Sequence, residues 1–539
     1  AAEAGVATVP GFMGEVTEAA EAVRIAREIG YPVMLKASAG GGGKGMRIAR
    51  NDSECREGFA AARSEAESSF GDGRLFIEKF IEEPRHIEIQ ILGDAQGNLV
   101  HLGERECSIQ RRHQKIIEES PSPFVDARMR AEMGAQAVAL ARAVGYRSAG
   151  TVEFIVDAAH NFYFLEMNTR LQVEHPVTEC VTGIDLVEQM IRIAAGESLG
   201  FAQEDVAFRG WAVESRIYAE DPYRGFLPSI GRLTRYCEPP KAEGVRVDSG
   251  VFEGAEISLY YDPMIAKLIT WGETRESAIG RMRDALDAFY IRGIAHNIPF
   301  LGAVMGHPRF REGRLSTDFI DTEYGDGFHG APLDQELADM MMAAACFMHA
   351  VECSRAAQVA GRMREVRGPQ EHDWVILIDG RQETAGILPT RDGARVRLGE
   401  RELALASAWV PGNPVFSGEI DGKGVTIEVD RLSLGYCLMS RGAAVRVMVL
   451  EPQVAALMPL MPEPVDGGSS RTLTCPMPGL VVSVAVAPGD EVKAGQALVV
   501  VEAMKMENIL RAERDGVVEK VNVKPGDSLA VDDVIIEFA

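Results

Sequence analysis

The sequence predicts a multidomain protein of the α/β and β class, and three observations support this prediction. The length of 539 residues is enough for three or four domains. Helical and strand patterns alternate through residues 1–330, whereas short strands with turn signals follow from Trp374 to about Leu450. An internal repeat with strand periodicity lies near the C-terminus. We therefore expect an α/β part, a small antiparallel barrel and a terminal β-sandwich.

The composition excludes several classes of protein. Hydrophobic residues make up 46% and charged residues 25%, which is ordinary for globular protein. No apolar run approaches the ~18 residues of a membrane span. The net charge of −24 argues against a nucleic-acid partner, although a local basic pocket could still bind a small anion. Eight scattered cysteines without a Cys-x-x-Cys pair indicate a reducing compartment and neither a zinc site nor a disulfide framework.

The elements are predicted in order from periodicity and breakers. Ala20–Gly30 has helical spacing and a terminal glycine, and strands follow at Tyr31–Ala37 and Met46–Arg50 on either side of a glycine run. Leu333–Gly361 predicts a long helix rich in alanine and methionine. We expect this helix to present a surface to another subunit, the alternative being ordinary core packing. Met458–Ser470 is rich in proline, glycine and serine and predicts a linker.

The C-terminal repeat surrounds one lysine. GLVVSVAVAPGD begins at Gly479 and GVVEKVNVKPGD at Gly516, an offset of 516 − 479 = 37 residues. Each arm alternates and then breaks at Pro-Gly-Asp, which predicts a strand and a turn. Lys505 lies between the arms, flanked by two methionines, and is predicted to occupy a hairpin tip. Methionine usually fills cores, so its position beside a presented lysine indicates a tip that another molecule recognises; the alternative is an ordinary surface lysine.

A glycine-rich segment predicts phosphate binding. Lys36–Met46 contains four consecutive glycines followed by Lys44 and Gly45. The spacing matches G-x-G-x-x-G, but a strand follows where the dinucleotide motif needs a helix, and no Ser or Thr follows Lys44 as a Walker loop requires. A glycine-rich hairpin can close over a nucleotide and donate its backbone N–H groups to phosphate. The alternative is a flexible surface loop.

Two polar segments follow the glycine loop. Phe76–Gln90 joins two strands through an acidic turn, and Glu78, Lys79 and His86 within it are either site residues or ordinary surface. Arg105–Glu119 concentrates basic side chains in an acidic protein, which suits bicarbonate or polyphosphate. The basic residues of that segment are Arg105, Arg111, Arg112, His113 and Lys115.

The strongest catalytic signal is Thr151–Glu179. Glu153 lies on one predicted strand and Glu166 and Asn168 on the next, and such oxygen ligands suit Mg²⁺ bound to substrate phosphates. Alternation puts Arg170 on the same face, with Gln172 and Glu174 following if the strand conformation persists. An arginine there can hold an anion, and a nearby carboxylate can remove its proton. The alternative is the polar face of an edge strand.

Together these segments resemble biotin carboxylase, of the ATP-grasp superfamily, over residues 1 to about 325, and the C-terminal region resembles the biotin carrier domain, whose Ala-Met-Lys-Met lysine is biotinylated. A lipoyl carrier, which shares this fold but lacks the methionines, is the alternative. The resemblance implies an ATP-grasp lid at 1–80, a C-terminal carboxylase part at 81–330, a helix-plus-barrel connecting domain at 331–457, a linker at 458–470 and a biotinyl β-sandwich at 471–539.

The resemblance also implies roles and cofactors: ATP, Mg²⁺ or Mn²⁺, and biotin on Lys505. Glu174 is implied as the base for bicarbonate, and Arg216 as the group that stabilises the biotin oxyanion. The implied ATP contacts are Lys36, Gly41, Gly42, Gly43, Lys44, Gly45, Glu78, Lys79, His86, Gln110 and His113. The implied metal ligands are Glu153, Glu166 and Asn168, and the implied bicarbonate contacts are Lys115, Arg170, Gln172 and Val173.

The resemblance extends to the α subunits of acyl-CoA carboxylases. It implies propionyl-CoA as the final acceptor, with methylcrotonyl-CoA as the alternative, a carboxyltransferase β subunit in an α6β6 assembly, and a biotin protein ligase. Bacterial cytoplasm is favoured over mitochondrial matrix. These carboxylases begin with a further N-terminal domain that contributes an ATP-contacting lysine. No residues here correspond to it, so we expect a truncated or processed start, an incomplete ATP site and little activity. An unrelated ATP-grasp ligase with a fused carrier, or a non-catalytic scaffold, remains an alternative.

Overall fold

The computed structural model describes residues 5–39, 45–112, 114–258, 260–358, 372–461, 471–493, 495–503, 506–512 and 515–539. Within these ranges, we find no helix with the length and apolar character needed to cross a bilayer. The predicted succession of an α/β part, a barrel and a terminal β-sandwich is confirmed.

A small antiparallel sheet covered by two helices comes first. Its strands pair in the order β1-β4-β2-β3, and Val23, Leu35 and Ile77 are among its buried core residues. The predicted helix ends at Gly30, whose φ of 88° is readily adopted by glycine, and both predicted strands around the glycine run are present. The elements are β1 (Gly11–Val16), α1 (Ala19–Ile29), β2 (Val33–Ala37), β3 (Met46–Ala49), α2 (Asp52–Phe70) and β4 (Leu75–Lys79).

An eight-stranded antiparallel sheet dominates the next part of the chain, in the order β15-β17-β10-β7-β6-β5-β8-β9. Its long strands and helices are β5 (Arg85–Gly93), β6 (Leu99–Arg111), β7 (Gln114–Ser120), α3 (Ala127–Ala143), β8 (Ser148–Val156), β9 (Phe162–Asn168), α4 (His175–Thr182), α5 (Leu186–Ala194) and β10 (Trp211–Tyr218). Short strands follow: β11 (Glu220–Asp221), β12 (Leu227–Pro228), β13 (Gly231–Arg232), β14 (Arg235–Cys237), β15 (Val245–Ser249) and β16 (Glu256–Ile257). The part closes with β17 (Met264–Gly272), α6 (Arg275–Ala288), β18 (Tyr290–Arg292), α7 (Ile298–Gly306), α8 (Pro308–Arg311) and α9 (Phe319–Glu323).

The third part is a closed eight-stranded barrel with a helix in its core. The helix is α10 (Gln335–Ala357), and its residues Met340 to Met348 are all buried among the barrel side chains. The expectation that this methionine-rich helix faces another subunit is therefore wrong for that stretch; the core-packing alternative holds. The barrel elements are β19 (His372–Ile378), β20 (Arg381–Pro389), β21 (Gly393–Leu398), β22 (Arg401–Ser407), β23 (Val415–Ile420), β24 (Lys423–Arg431), β25 (Tyr436–Ser440), β26 (Ala443–Leu450) and then α11 (Pro452–Ala455).

The C-terminal part is a sandwich of two four-stranded sheets, ordered β27-β34-β32-β29 and β31-β30-β28-β33. The two arms of the sequence repeat begin β28 and β32, one in each sheet, which explains the repeat as two similar halves. The strands are β27 (Thr472–Thr474), β28 (Gly479–Val484), β29 (Glu491–Val492), β30 (Ala497–Ala503), β31 (Met506–Arg511), β32 (Gly516–Val521), β33 (Ser528–Leu529) and β34 (Val534–Phe538). Most of the predicted linker, residues 462–470, lies outside the described residues.

Candidate active site

Polar residues on seven adjacent strands of the large sheet meet in one site. From β9 across β8, β5, β6, β7 and β10 to β17, these strands carry acids, amides and cations. The register sets Glu88 opposite both Glu153 and Arg105, so the three side chains share one face. Long-range strand pairing therefore assembles the site from segments distant in sequence.

Lys115 on β7 lies at the centre of this site. Its Nζ donates hydrogen bonds to Glu174 Oε1 at 2.6 Å, to Glu153 Oε1 at 3.0 Å and to Glu88. Burial alone would lower the pKa of Lys115, but Glu88 and the other acidic neighbours outweigh burial and hold its pKa well above the usual value. Lys115 is consequently a permanent cation surrounded by three carboxylates.

Arg105 on β6 forms the buried framework behind Lys115. It is fully buried, and its guanidinium donates hydrogen bonds to the Glu88 carboxylate and to four polar side chains. These four side chains are Gln90, Thr151, Gln172 and Thr178. Burial would lower the pKa of Arg105, but the charge of Glu88 outweighs it and raises the pKa. Arg105 thus serves to hold Gln172 and Glu88 in place.

The basic segment does not form the single anion-binding surface that its sequence indicated. Arg105 is internal, and Arg111 is buried, donating to Glu220 Oε2 at 2.6 Å with its guanidinium over Phe226. Only Arg112 of the segment's described arginines is exposed. Strand β6 places most of this charge against buried acids, which the local sequence could not reveal.

The donor set around Glu153 fits a hard divalent cation. Glu153 and Glu166 are directly paired on β8 and β9, and Asn168 Nδ2 lies 3.0 Å from Glu153 Oε1 and 3.4 Å from Glu166 Oε1. Carboxylate and amide oxygens are the ligands that Mg²⁺ or Mn²⁺ prefers, and turning the Asn168 amide would present its oxygen. Burial would raise the pKa of Glu153, but contacts with His86 and Lys115 outweigh it and lower the pKa. Glu153 is therefore charged and able to ligate.

The segment after β9 is a loop and does not continue as a strand, contrary to the expected alternation. Strand β9 ends at Asn168, and Glu174 directly precedes α4. The loop nevertheless turns Gln172 and Glu174 into the site: Gln172 Nε2 donates to Glu153 Oε1 at 2.8 Å, and Glu174 contacts Lys115. Arg170 remains exposed, and within the described residues it donates to the Leu171 carbonyl and to Asn168 Oδ1 at 3.2 and 3.4 Å.

Lys267 on β17 supports the same loop, although our sequence reasoning did not single it out. Its Nζ donates to the Val173 carbonyl oxygen at 2.9 Å. Lys267 thereby fixes the Val173 peptide, which is expected to contact bicarbonate. Lys267 is also paired with Arg216 in the β10–β17 register.

Arg216 on β10 joins the two sides of the site. Its Nε donates to Glu118 Oε1 at 2.6 Å, and its Nη2 donates to Glu174 Oε2 at 3.0 Å. Burial would lower its pKa, but Glu118 and Glu174 outweigh burial and hold the pKa of Arg216 well above the usual value. The candidate base Glu174 therefore lies between two permanent cations, Lys115 and Arg216.

The residues expected around ATP are spread over the small sheet and the ends of two central strands, β5 and β6, of the large one. Lys36 and Glu78, on paired strands β2 and β4, form an ion pair. Lys79 Nζ donates to the Gly30 and Tyr31 carbonyls at 2.9 Å each, so its side chain ties down the end of α1. Gln110 Nε2 lies 2.8 Å from His86 Nδ1, and His86 Nε2 lies 3.0 Å from Glu153 Oε2.

The glycine loop itself is largely outside the described residues, as are His113 and the predicted loop members Gly41, Gly42, Gly43 and Lys44. Gly45 is described and has a φ of 72°, and a Cβ there would lie 2.7 Å from that of Ala37. This position favours glycine through both its backbone conformation and its close neighbour.

The candidate carrier lysine lies between two paired strands. β30 and β31 are hydrogen-bonded in register as far as Ala503 and Met506, and the two residues between, Met504 and Lys505, are outside the described residues. The sandwich rests beside the large sheet: Arg112 Nη1 lies 3.5 Å from the Glu507 carbonyl oxygen, next to a cavity of about 650 Å³ lined by both parts.

Sequence reasoning missed Glu88, Glu118 and Lys267. Glu88 and Lys267 each lie within an apolar strand, where a charged residue at a position that should be buried was the available signal. The segment RHIEIQILG shows it most clearly, because Glu88 interrupts an isoleucine-rich strand. Glu118 lies in the largely polar strand β7, which carries no such signal.

Four family profiles cover nearly the whole chain. They are the carbamoyl-phosphate synthase L chain ATP-binding domain at residues 1–202, the biotin carboxylase C-terminal domain at 214–322, the propionyl-coenzyme A carboxylase BT domain at 341–463 and the biotin-requiring enzyme domain at 471–538. The fold and the site thus define a biotin carboxylase, an ATP-dependent ligase, joined through a barrel to a biotin carrier.

Individual relatives indicate which group of biotin-dependent carboxylases this chain resembles most. The propionyl-CoA carboxylase alpha chain of Ruegeria pomeroyi is 56% identical over 100% of this chain and 82% of its own length. The mitochondrial methylcrotonoyl-CoA carboxylase subunit alpha of Rattus norvegicus is 40% identical over 100% of this chain and 76% of its own. The biotin carboxylase domain of Hydrogenobacter thermophilus 2-oxoglutarate carboxylase, solved with MgADP and bicarbonate, is 52% identical with a TM-score of 0.57 over 60% of this chain and 71% of its own. This chain belongs to the family of propionyl-CoA carboxylase alpha chains.

Proposed function

We propose that, as part of the complete enzyme, this chain uses ATP and bicarbonate to carboxylate biotin attached to Lys505. The observation that carries the proposal is the array in which Lys115 and Arg216 both contact Glu174, beside the oxygen donors of Glu153 and Asn168. A carboxylate between two cations can lie next to a bound anion and accept its proton. The oxygen ligands suit a metal cation bound to the phosphates of the nucleotide. The carrier fold supports Lys505 as the attachment site.

The roles follow from what each side chain can donate. Lys115 is a permanent cation that binds bicarbonate. Arg170 and the Gln172–Val173 segment supply the remaining contacts with bicarbonate. Glu174 takes the bicarbonate proton. ATP supplies the phosphoryl group that activates bicarbonate, with Mg²⁺ or Mn²⁺ held by Glu153, Glu166 and Asn168. The glycine loop and the remaining predicted contacts, among them Lys36, Glu78 and Gln110, enclose the nucleotide.

Arg216 acts at the acceptor. The ureido nitrogen of biotin is a weak nucleophile until negative charge develops on the ureido oxygen, and a cation facing that oxygen stabilises the charge. The contribution of such a donor is about 3 kcal/mol.

The test is carboxylation of the carrier from labelled bicarbonate in the complete biotinylated enzyme. Glu174→Gln and Arg216→Ser should each lower the rate by about 100-fold or more, and Lys505→Arg should abolish labelling of the carrier. Arg128→Ser, an exposed surface arginine, is the control and should match the parent. Carboxylation that continues in the Glu174 and Arg216 variants would instead support the scaffold alternative, and an unmodified Lys505 in active enzyme would refute the proposal.

The acyl acceptor and the partner are inferred from likeness, because we expect the acyl group to bind on another subunit. We propose transfer to propionyl-CoA, giving methylmalonyl-CoA, by a separate carboxyltransferase β subunit in an α6β6 assembly, with a biotin protein ligase modifying Lys505. The higher identity to a propionyl-CoA carboxylase alpha chain supports this over methylcrotonyl-CoA. Comparing both acyl-CoA substrates with the reconstituted complex tests the choice, since faster methylcrotonyl-CoA turnover would reverse it.

We further propose the domain bounds given by the resemblance, 1–80, 81–330, 331–457, 458–470 and 471–539, and a bacterial cytoplasmic over a mitochondrial location. The relatives include both bacterial and mitochondrial proteins.

A further inference from the structure

Two buried acids lie directly opposite each other behind Arg216. Glu118 on β7 and Glu214 on β10 are paired in the antiparallel register, and both are fully buried. Among the described residues, no hydrogen-bond partner reaches Glu118 Oε2 or either carboxyl oxygen of Glu214. Directly opposed residues share one face of a sheet, so the two carboxyl groups are close neighbours.

Two such groups cannot both be charged in this setting. Burying one carboxylate is costly without a cation, and a second like charge beside it adds repulsion. Arg216 contacts Glu118, whereas neither carboxyl oxygen of Glu214 accepts a hydrogen bond from any described residue. Burial raises the pKa of Glu118 to about 7, opposed by Arg216, whereas burial and then the charge of Glu118 raise the pKa of Glu214 well above its usual value. Glu118 is therefore the carboxylate and Glu214 its neutral neighbour.

The contacts also fix the orientation of the guanidinium. Glu118 Oε1 accepts from Nε at 2.6 Å and lies 2.5 Å from Nη2, and Glu174 accepts from Nη2. Both acids thus engage the Nε–Nη2 edge, so the Nη1 end of the guanidinium points away from Glu118 and Glu174. The planar guanidinium transmits this constraint because its five N–H groups have fixed directions.

We propose that Glu118 is a positioning residue that fixes the Arg216 guanidinium so that its Nη1 end faces the acceptor oxygen of biotin, and that Glu214 stays protonated so that a single negative charge lies behind Arg216. This inference rests on the proposed function and extends it to residues that do not touch substrate. The proposed role belongs to Glu118 and not to Glu119, the next residue on β7. Glu119 points to the opposite face of the sheet, where it accepts hydrogen bonds from Arg275 Nε at 2.7 Å and Nη2 at 2.9 Å.

The test compares Glu118→Gln with the matched control Glu119→Gln in the complete biotinylated enzyme. Both changes remove one buried carboxylate and keep its shape. For Glu118→Gln, kcat for carboxylation of the carrier should fall about 100-fold, because a misdirected donor costs about that much, with unchanged KM values for ATP and bicarbonate. Glu119→Gln should lower the unfolding temperature comparably and leave kcat near the parent value.

A second readout separates positioning from general damage. In a Lys505→Arg background, bicarbonate-dependent ATP hydrolysis needs no biotin oxygen and should be unaffected by Glu118→Gln. The inference is overturned by a parental kcat in Glu118→Gln, by equal losses in both reactions, or by an equal loss in Glu119→Gln. Parent enzyme that never carboxylates its carrier would refute the proposed function itself.

Discussion

At the scale of the residue, this site is a network of buried charges in which three buried cations each touch an acid. Lys115, Arg105 and Arg216 each contact at least one buried carboxylate. Charges at low dielectric are tolerated only when they are paired and hydrogen-bonded, so removing one member leaves the others uncompensated. Glu88 illustrates the balance: burial would raise its pKa, but Lys115 and Arg105 outweigh burial and lower it to about 2.

Arg105 provides a test of this network. Arg105→Lys keeps the charge but replaces a five-donor fork by a compact ammonium, so Gln172 and other partners lose their hydrogen bonds. We expect a loss of about 3 kcal/mol in stability and a raised KM for bicarbonate, measured by thermal unfolding and by steady-state kinetics. Arg128→Lys, at an exposed helical ion pair, should change neither quantity. Equal behaviour of the two variants would contradict a structural role for Arg105.

At the scale of the element, α10 was expected to face another subunit but is packed inside the barrel. Its sequence from Met340 to Met348 is apolar on all sides, which is typical of a helix surrounded by protein. Closure of eight strands around it supplies that environment, and methionine side chains adapt to the irregular space inside. Conversely, Glu174 reaches the site because β9 ends and a loop turns toward α4.

Substitutions on one helix can test the packing of α10. Ala344, in the middle of α10, is fully buried in the barrel, whereas Ala356, near the C-terminal end of the helix, is exposed. Ala344→Leu should overpack the barrel and destabilise it by about 1–3 kcal/mol, measured by thermal unfolding and by faster limited proteolysis. Ala356→Leu introduces the same side chain and should leave both measurements unchanged. A harmless Ala344→Leu would mean that the helix does not fill the barrel core.

At the scale of the whole molecule, buried acids connect the carboxylase part to the barrel. Asp287 of α6 accepts from the Ser440 hydroxyl and the Arg441 N–H at 2.8 and 2.7 Å, and Glu428 accepts from Arg292 at 2.9 Å. Burial raises the pKa of Asp287 to about 7 and that of Glu428 to about 8, against opposition from Arg441 and Arg292 respectively. This interface therefore titrates near neutral pH.

The pH dependence of stability follows from the sign of these shifts. Each acid binds its proton more tightly in the folded state than in the unfolded state, so folding is favoured at low pH and the advantage is lost as pH rises through the folded pKa. We expect the unfolding temperature to fall between about pH 5 and about pH 8, each group contributing at most about 1.4 kcal/mol per pH unit. Asp287→Asn, followed by thermal unfolding across this window, should flatten the fall. A variant whose profile runs parallel to the parent would contradict the assignment.

Much of the architecture could be predicted from local sequence. Gly30 ended α1, the strands around the glycine run appeared as expected, and the two repeat arms began β28 and β32, one in each sheet of the sandwich. The candidate residues Lys115, Glu153, Gln172, Glu174 and Arg216 do meet in one site. Their catalytic roles remain predictions until variants are measured.

By itself, the sequence determined the class of each segment, the Lys505 motif and the acids and cations of Thr151–Glu179, because periodicity, turns and motif spacing are local properties. Only the tertiary structure decided that Arg105 and Arg111 are internal, that Glu118 and Lys267 support Arg216 and the Val173 peptide, and that α10 is enclosed. The physical reason is that burial and charge pairing depend on which strands are neighbours. That pairing brings together residues as distant as Glu118 and Arg216, and no local pattern records it.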